Sequence, residues 1–450
     1  MVNRSGTHGS SQEMNDFTID DIAVEAYLYF YPLVLMDITK RQLFLRTRID
    51  REDPAANQLQ HARETANDKW RSVVRPNVDT LFSNAWVDLS HGPLVFTLPP
   101  SAGRYHMFQM MDMWTDTYAV VGSRTIGDRG VKALLVGPGW NSSDRAGTET
   151  VIECPTTSTW IVGRTYTFGG DDNLEAIAFL DGTSLVAVGG SPFPQTGSRF
   201  VELSPGSDPI AQVDALTPAQ FFEYASELLL REGAHGSDGS VRLRLRQIGF
   251  EFHEQFVFSR QTPGVQSALT DAARKARVQI GASLTDSRNT LGCWTMSHGS
   301  IGYYGNDYLS RAATARWGIG ANPPEDAVYL TSTGDSSGAV THGSQTYRMH
   351  FGPGELPPAH AFWSITAYGE GTFLIPNEPG RFGVRSKDPI TFNSDGSLDV
   401  FSGPSRPEGC PESNWIPTVD SSLDFLIRLY SPAKKFIEGQ WTPPVIERVS

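Results

Sequence analysis

The sequence predicts a mostly β protein, with a β-sandwich in each half, a small helical domain between them and a helix near the N-terminus. Three observations carry this. From Val73 to about Phe200, short runs rich in Val, Ile, Thr and aromatics are broken by Gly, Pro, Asn and Asp about every eight to twelve residues, the rhythm of antiparallel sandwiches and barrels rather than of βα repeats. The same texture returns from Ala327 to about Val400. The chain also holds 43 Gly and 29 Pro among 450 residues, above average usage, which suits many short connections.

Taken in order, residues 1–17 are polar and rich in Gly and Ser, with no basic start, apolar stretch or small-residue cleavage site. They read as a disordered leader rather than an export signal. A helical segment over 18–70 opens at Thr18, three residues before Asp21, and Ile22, Ala23, Tyr27, Phe30 and Leu33 follow at near-helical spacing. Pro32 is expected to kink or end that helix, with a further turn or two through Ile38 and Leu43. Residues 71–212 carry the first sandwich, with strands expected at 93–98, 105–113, 131–136, 159–164 and 185–188. Residues 213–290 are helical. Thr217-Pro218-Ala219-Gln220 is a capping box with Pro at the first helical position, and Gly233 sits where a left-handed cap belongs. Thr262-Pro263 opens a second helix through Val265, Leu269, Ala272, Ala276 and Ile280. Residues 291–450 form the second sandwich, closing on a helix at about 421–430 stopped by Pro432. An internal echo ties the two β regions together. In 94–114 an apolar strand, Leu98-Pro99-Pro100 and an aromatic strand follow one another, and 347–368 repeats the series around Leu356-Pro357-Pro358.

Composition narrows the function. Lys and Arg number 37 against 50 Asp and Glu, a net charge of −13, the wrong sign for a protein that lives on phosphate backbones or anionic lipid. The longest apolar run, Ala26 to Met36, contains Pro32 and is too short to span a bilayer. Three cysteines, at 154, 293 and 410, form no C-x-x-C pair, which removes support for a disulfide scaffold, a zinc ribbon or a thioredoxin-type site. No phosphate loop or dinucleotide fingerprint appears. The expectation is a cytoplasmic protein acting on a small molecule, with no nucleic-acid or membrane partner.

Four groups of residues are candidates for chemistry. The most unusual is Arg75-Pro76-Asn77-Val78-Asp79-Thr80. Pro76 biases Arg75 towards extended geometry, and Asn77 and Asp79 are turn formers two apart. An Arg, an amide and a carboxylate at the mouth of a sandwich suit the fixing and protonation of a polar substrate. In the competing reading Asn77 and Asp79 bond neighbouring amides while Arg75 ties the loop to another strand. Gly334-Asp335-Ser336-Ser337-Gly338 has the G-x-S-x-G pattern of a nucleophile elbow, but it lies between two strand-like runs and reads as a hairpin loop. His342, His350 and His360 fall close together without the H-x-H pair of a cupin-type metal site, so no metal is assigned and the three stay an open possibility. Trp294, Tyr303, Tyr304, Tyr308 and Trp317 cluster with Asn306, Asp307, Arg311 and Arg316 in a stretch too polar for a simple core helix. It suits either a sugar- or phenol-binding groove or a plug between the two sandwiches.

These residues also carry a resemblance. Asn77-x-Asp79-Thr80-Leu81 leading into Ala85-Trp86-x-Asp88-Leu89-Ser90, with Gly137-Pro138 and Arg164 downstream, resembles the DUF1254 family. Phe362-Trp363-Ser364-x-Thr366-x-Tyr368, Asn414-Trp415-x-Pro417 and Arg428-x-Tyr430-x-Pro432 resemble its usual partner, DUF1214. The match runs from about residue 25 to 448 in the family's order. It implies two jelly-roll-like sandwiches with an associated helical domain, and a homo-oligomer. It supplies no reaction and no catalytic residues. Phe82 stands where relatives commonly show Tyr, which puts any hydroxyl role there in doubt.

The functional expectation is therefore a cofactor-independent enzyme, of hydrolase or lyase type, doing acid–base chemistry on a sugar-like or phenolic molecule in an inter-domain cleft. Asp79 is its acid/base, Arg75 its anion clamp and Asn77 a polar anchor, with Trp294, Tyr303, Asn306, Tyr308, Trp363 and Tyr368 binding substrate. The alternative is a non-catalytic ligand-binding or assembly protein.

Overall fold

A computed structural model describes residues 17–49, 56–71, 74–141, 143–189, 198, 200–286, 288–297, 300–332 and 334–449; the expected leader, apart from Phe17, lies outside the described residues. The first helix, α1, runs from Ile19 to Ile49 straight through Pro32. It starts as the sequence indicates: Thr18 Oγ1 accepts from the Asp21 amide at 3.1 Å while Asp21 Oδ2 accepts from the Thr18 amide at 3.1 Å. Pro32 does not end it, because Tyr27, Tyr29, Phe30, Tyr31 and Leu33 to Met36 are all buried around that point, and packing on all sides holds a helix that propensity alone would interrupt. By length and apolar composition the stretch Ile19–Leu45 meets the requirement of a bilayer span, contrary to the expectation from the shorter run, and nearly all of it is buried inside the fold.

The first sandwich has strands β1 (Thr80–Asp88), β2 (Leu94–Leu98), β3 (His106–Asp112), β4 (Thr117–Gly122), β5 (Val131–Val136), β6 (Thr150–Glu153), β7 (Ser158–Tyr166) and β8 (Ser184–Ala187), with helix α2 (Asp172–Asp181) after β7. A two-residue strand, Gln60–His61, edges one sheet, which runs on as β1-β7-β3-β4; the other sheet is β6-β5-β2-β8. Leu81, Phe108 and Ile161 of the larger sheet meet Leu94, Phe96 and Leu135 of the smaller in one core.

The helical layer follows: α3 (Pro209–Ala215), α4 (Pro218–Glu232), α5 (Gly239–Leu245), α6 (Pro263–Asp286) and α7 (Tyr308–Gly318). The capping box at Thr217 is formed, with reciprocal bonds to Gln220. All these helices pack on α1 in a single cluster that reaches Trp86 and Trp114 of the first sandwich. α7 corrects the expectation that 308–318 is not a simple helix: Asp307 caps it by accepting from the Ser310 amide at 3.0 Å, and Tyr308, Ala312, Ala313 and Ala315 are its buried face.

The second sandwich comprises β9 (Ala327–Ser332), β10 (Thr346–Phe351), β11 (Ala359–Tyr368), β12 (Gly383–Arg385), β13 (Leu398–Gly403), β14 (Trp415–Pro417), β15 (Asp424–Pro432) and β16 (Ile446–Val449), with a short helix α8 (Lys434–Ile437) after β15. A hairpin, Arg288–Leu291 with Trp294–Ser297, edges the larger sheet, which continues β9-β15-β11-β12; the smaller is β14-β13-β10-β16. The expected helix at 421–430 is thus largely strand β15, between β9 and β11. Phe425, Ile427 and Leu429 enter the core while Leu426, Arg428 and Tyr430 face the other way, a two-residue period that a short apolar run conceals from sequence reading.

Strand for strand, β9–β16 repeat the order and pairing of β1–β8, down to the parallel pairs β5/β6 and β13/β14. The echo in the sequence is this duplication: each Leu-Pro-Pro lies on the connection that carries the chain from the small sheet to the large one, β2 to β3 and β10 to β11.

Candidate functional site

The two larger sheets face each other across a seam, and alternation along each strand decides what enters it. On β7, Ile161 points into its own core while Tyr166 faces the seam; on β11, Trp363 and Ile365 point inwards while Phe362 faces the seam. Tyr105, Met107, Tyr166, Ala327, Phe362 and Tyr430 pack there as one cluster, with the Phe362 and Tyr430 rings stacked 4.2 Å apart and Tyr166 4.3 Å from Phe362. Polar ties flank it. Asn77 Nδ2 donates to the Tyr430 hydroxyl at 2.6 Å, Tyr368 Oη to Pro76 O at 2.8 Å and Ser364 Oγ to Asp79 Oδ2 at 2.6 Å. Arg124 grips Asp326 through two bonds of 2.8 and 2.7 Å.

Beside the cluster lies a cavity of about 670 Å³ between the sandwiches and α7. Arg75, Asn77, Arg164, Asn322, Tyr329 and Arg428 give it polar walls; Met296, Ile301, Ile319 and Leu426 give it apolar ones, and Val74 and Trp317, both more than half exposed, also line it. Arg75 pairs with Asp424 at 2.7 Å. Arg428, buried on β15, donates to Thr366 Oγ1 at 3.0 Å, to the Tyr368 hydroxyl at 2.5 Å and to Arg75 O at 3.1 Å. Arg164 on β7 has no hydrogen bond or ion pair among the described residues; its guanidinium lies 5.2 Å from the Phe82 ring centre, and its buried Nε is unpartnered.

Two other cavities flank the seam; their arginines are matched, while Lys387, exposed on the wall of the larger, has no ion pair among the described residues. In one of about 780 Å³, Arg104 is held by both oxygens of Asp172 and Arg124 by Asp326. In one of about 610 Å³, Arg385 bonds Asp388 at 2.9 Å. Arg164 sets the cavity against α7 apart.

Of the expected site residues, Arg75 and Asn77 line this cavity and Tyr368 stands behind it, holding Arg428. Asp79 does not line it. Its carboxyl is fully buried under the neighbouring 610 Å³ cavity, one oxygen on Ser364 and the other unpartnered, and burial pushes its pKa up against the pull of Arg428. The loop follows the competing reading in part: Asn77 Oδ1 accepts from the Asp79 amide at 2.7 Å and Arg75 ties the loop to β15, but the Asp79 carboxyl accepts from the Ser364 hydroxyl rather than from a neighbouring amide. Arg75 is not extended as Pro76 would favour but left-handed, at φ +46°; its amide donates to Thr372 O at 2.9 Å and its carbonyl accepts from Arg428, and these bonds outweigh the local preference. Trp294 and Trp363 are core residues of the second sandwich, the Trp294 indole donating to Pro444 O at 2.7 Å. Tyr308 is buried with its hydroxyl on Asp238 at 3.0 Å, while Tyr303 and Asn306 sit on the exposed loop before α7, outside the cavity. Arg164, Tyr329 and Asn322 were missed as site residues. Arg164 and Arg428 do stand in the quoted motifs, but only strand parity and the duplication reveal that they line one cavity.

The histidines at 342, 350 and 360 do not converge: His350 bonds Asp399 at 2.8 Å, His342 bonds Ser344, and His360 lines the 780 Å³ cavity. Among the described residues, the carboxylates and imidazole that do gather are Asp112, Asp116 and His235. His235 Nε2 lies 2.6 Å from Asp112 Oδ2, and Arg311 Nη2 fills the place beside Asp116 at 2.7 Å. Gly334–Gly338 lies in the β9–β10 loop, bridged by Gly334 and Val340, with no helix after it.

Fold and cavity together define a double β-sandwich protein with a ligand-sized seam between duplicated halves. Residues 56–185 match the protein family of unknown function DUF1254, and residues 326–434 match the protein family of unknown function DUF1214; the chain belongs to the two-domain family that joins them. No curated protein matches it. It is similar to the crystal structure of the VPA0106 protein from Vibrio parahaemolyticus, at 21% identity over 96% of this chain and 100% of that one, with a TM-score of 0.74. That likeness speaks for the fold. A crystal structure of an uncharacterised protein from Burkholderia cenocepacia is similar at 12% identity, covering 96% and 94% of the two chains, with a TM-score of 0.46.

Proposed function

We propose that this protein binds a small organic anion with an apolar body in the 670 Å³ seam cavity. The observation that carries this reading is Arg164, a cation in that cavity with no acceptor of its own. Arg164 is part-buried with its Nε sealed from solvent and unpartnered, a polar group that gains by acquiring an acceptor, and apolar walls with a few convergent polar groups are what small-molecule sites present. The test is a thermal-melt screen of organic acids and of neutral compounds of matching shape. A ligand at 100 times its Kd adds about 2.7 kcal/mol, which raises the melting temperature by several degrees. Acids are expected to shift it and neutral compounds much less. If sugars or neutral phenols shift it and acids do not, this reading is wrong.

A second reading, acid–base turnover with Asp79 as the proton-transfer group, has one supporting observation: a buried carboxyl with a raised pKa and a free oxygen. Against it, Asp79 lies under the neighbouring cavity, so the bound ligand and the acid would not meet. Asp79→Asn separates the two readings, abolishing turnover in the second and leaving ligand binding untouched in the first.

A further inference from the structure

We propose that Arg164 is the residue that selects the ligand's charge, taking a single carboxylate-like group, so that the ligand is a monoanion with an aromatic or aliphatic body. The inference rests on the seam cavity being the binding site. The duplication supplies an internal comparison. Arg164 pairs across β7 with Phe82 and Met107; Arg428 pairs across β15 with Tyr329 and Ser364. The two arginines are therefore the same position in two copies of one sandwich.

In the second copy that arginine is satisfied inside the protein. Thr366, Tyr368 and the carbonyl of Arg75 fill its fork. In the first copy none of the corresponding groups accepts from Arg164. Met111 holds the position of Tyr368 and brings a thioether in place of the hydroxyl. Gln109 holds the position of Thr366, but its Oε1 accepts from Asn322 at 2.6 Å and its Nε2 donates to Thr117 and Ala321. Asn322, in the place of Arg75, receives no bond from Arg164 on its main-chain carbonyl, and its side chain is turned to Gln109 and to the Tyr329 hydroxyl. The fold keeps the arginine and leaves it without those bonds.

Charge sets the valence. Arg75 is matched by Asp424, and Arg428 shares its burial with Asp79. Asp307, exposed on the cavity wall, caps α7 and keeps its negative charge there, which adds to the cost of bringing in a dianion. One guanidinium then awaits one negative charge, and a dianion would carry a surplus into an apolar setting. The planar fork of an arginine suits a carboxylate, while Leu426, Met296, Ile319 and the half-open Trp317 leave room for an apolar body.

Melting curves without ligand test the assignment first. Arg164→Gln loses no hydrogen bond and is expected to melt within about 1 °C of the parent or above it, whereas Arg428→Gln empties the bonds to Thr366, Tyr368, Arg75 O and Pro76 O and melts several degrees lower. A fall for Arg164→Gln as large as that for Arg428→Gln overturns the proposal, because Arg164 would then have its acceptors inside the fold. Calorimetric titration follows, with benzoate, cinnamate and octanoate, each beside its neutral amide, and with phthalate as the dianion. At least one monoacid should bind about tenfold more tightly than its amide and than phthalate, and Arg164→Gln should erase that preference. If acids and amides bind alike, and Trp317→Ala weakens both, the cavity reading stands and charge selection by Arg164 falls. If none of the compounds binds the parent, both fall.

Discussion

At the scale of single residues, the same side chain means different things according to which way its strand turns it. Asp79 and Arg75 lie four positions apart on one loop, yet one is sealed beneath a cavity and the other lines its neighbour. Asp79 is a structural tie across the seam: Ser364 donates to it at 2.6 Å. Asp79→Ala should lower stability by about 1–3 kcal/mol in a urea melt, the usual result of stranding a buried donor. Asp79→Asn keeps an acceptor and should lose less. In either variant the affinity of the seam cavity for its ligand should change less than about twofold; a tenfold loss would place Asp79 in the site after all.

Among the elements, local signals and tertiary packing compete, and the winner follows from burial. α4 obeys its local signals: the capping box at Thr217, Pro218 at the first helical position and Gly233 at φ +79° are all as the sequence indicates. Because that box is exposed, Thr217→Ala should cost about 1 kcal/mol with no change in ligand binding, read by the urea midpoint. α1 overrides its own signal, since the helix around Pro32 is buried on nearly every side. β15 is the opposite lesson. A run that reads as a short helix becomes a central strand because β9 and β11 on either side supply its hydrogen bonds and the sandwich interior supplies a core for Phe425, Ile427 and Leu429.

For the molecule as a whole, three bodies are locked at two interfaces, the seam and the contact of the helical layer with the first sandwich. The second interface includes a titratable lock. Trp114 Nε1 donates to Gly233 O at 3.0 Å, and His235 meets Asp112 at 2.6 Å. Burial works against the charged imidazole, but the bond and charge of Asp112 prevail and hold the His235 pKa above its usual value. A raised folded-state pKa means that this pair's stabilisation is fully present below the ordinary histidine range and is lost as pH rises through the raised value. The melting-temperature advantage of the parent over His235→Gln should therefore shrink between roughly pH 6 and 8. A difference that stays constant across that range would show that the pair is not titrating.

By itself the sequence determined the class and the order of parts: two sandwiches, the helical domain between them, the helix starts at Thr18 and Thr217, and the repeated Leu-Pro-Pro connections. These are written in short-range periodicity and turn chemistry, which neighbouring residues settle among themselves. It also marked Arg75 and Asn77, because an X-Pro-Asn loop is unusual on its face. What tertiary structure alone decided was which polar groups share a space. Trp294 and Trp363 look like binding aromatics until strand parity turns them into the core, and Arg164 looks like any strand arginine until its duplicate, 264 residues later, is seen to hold the bonds that it lacks. Such pairings depend on register between strands distant in the chain, and one residue of parity separates a cavity wall from a buried core.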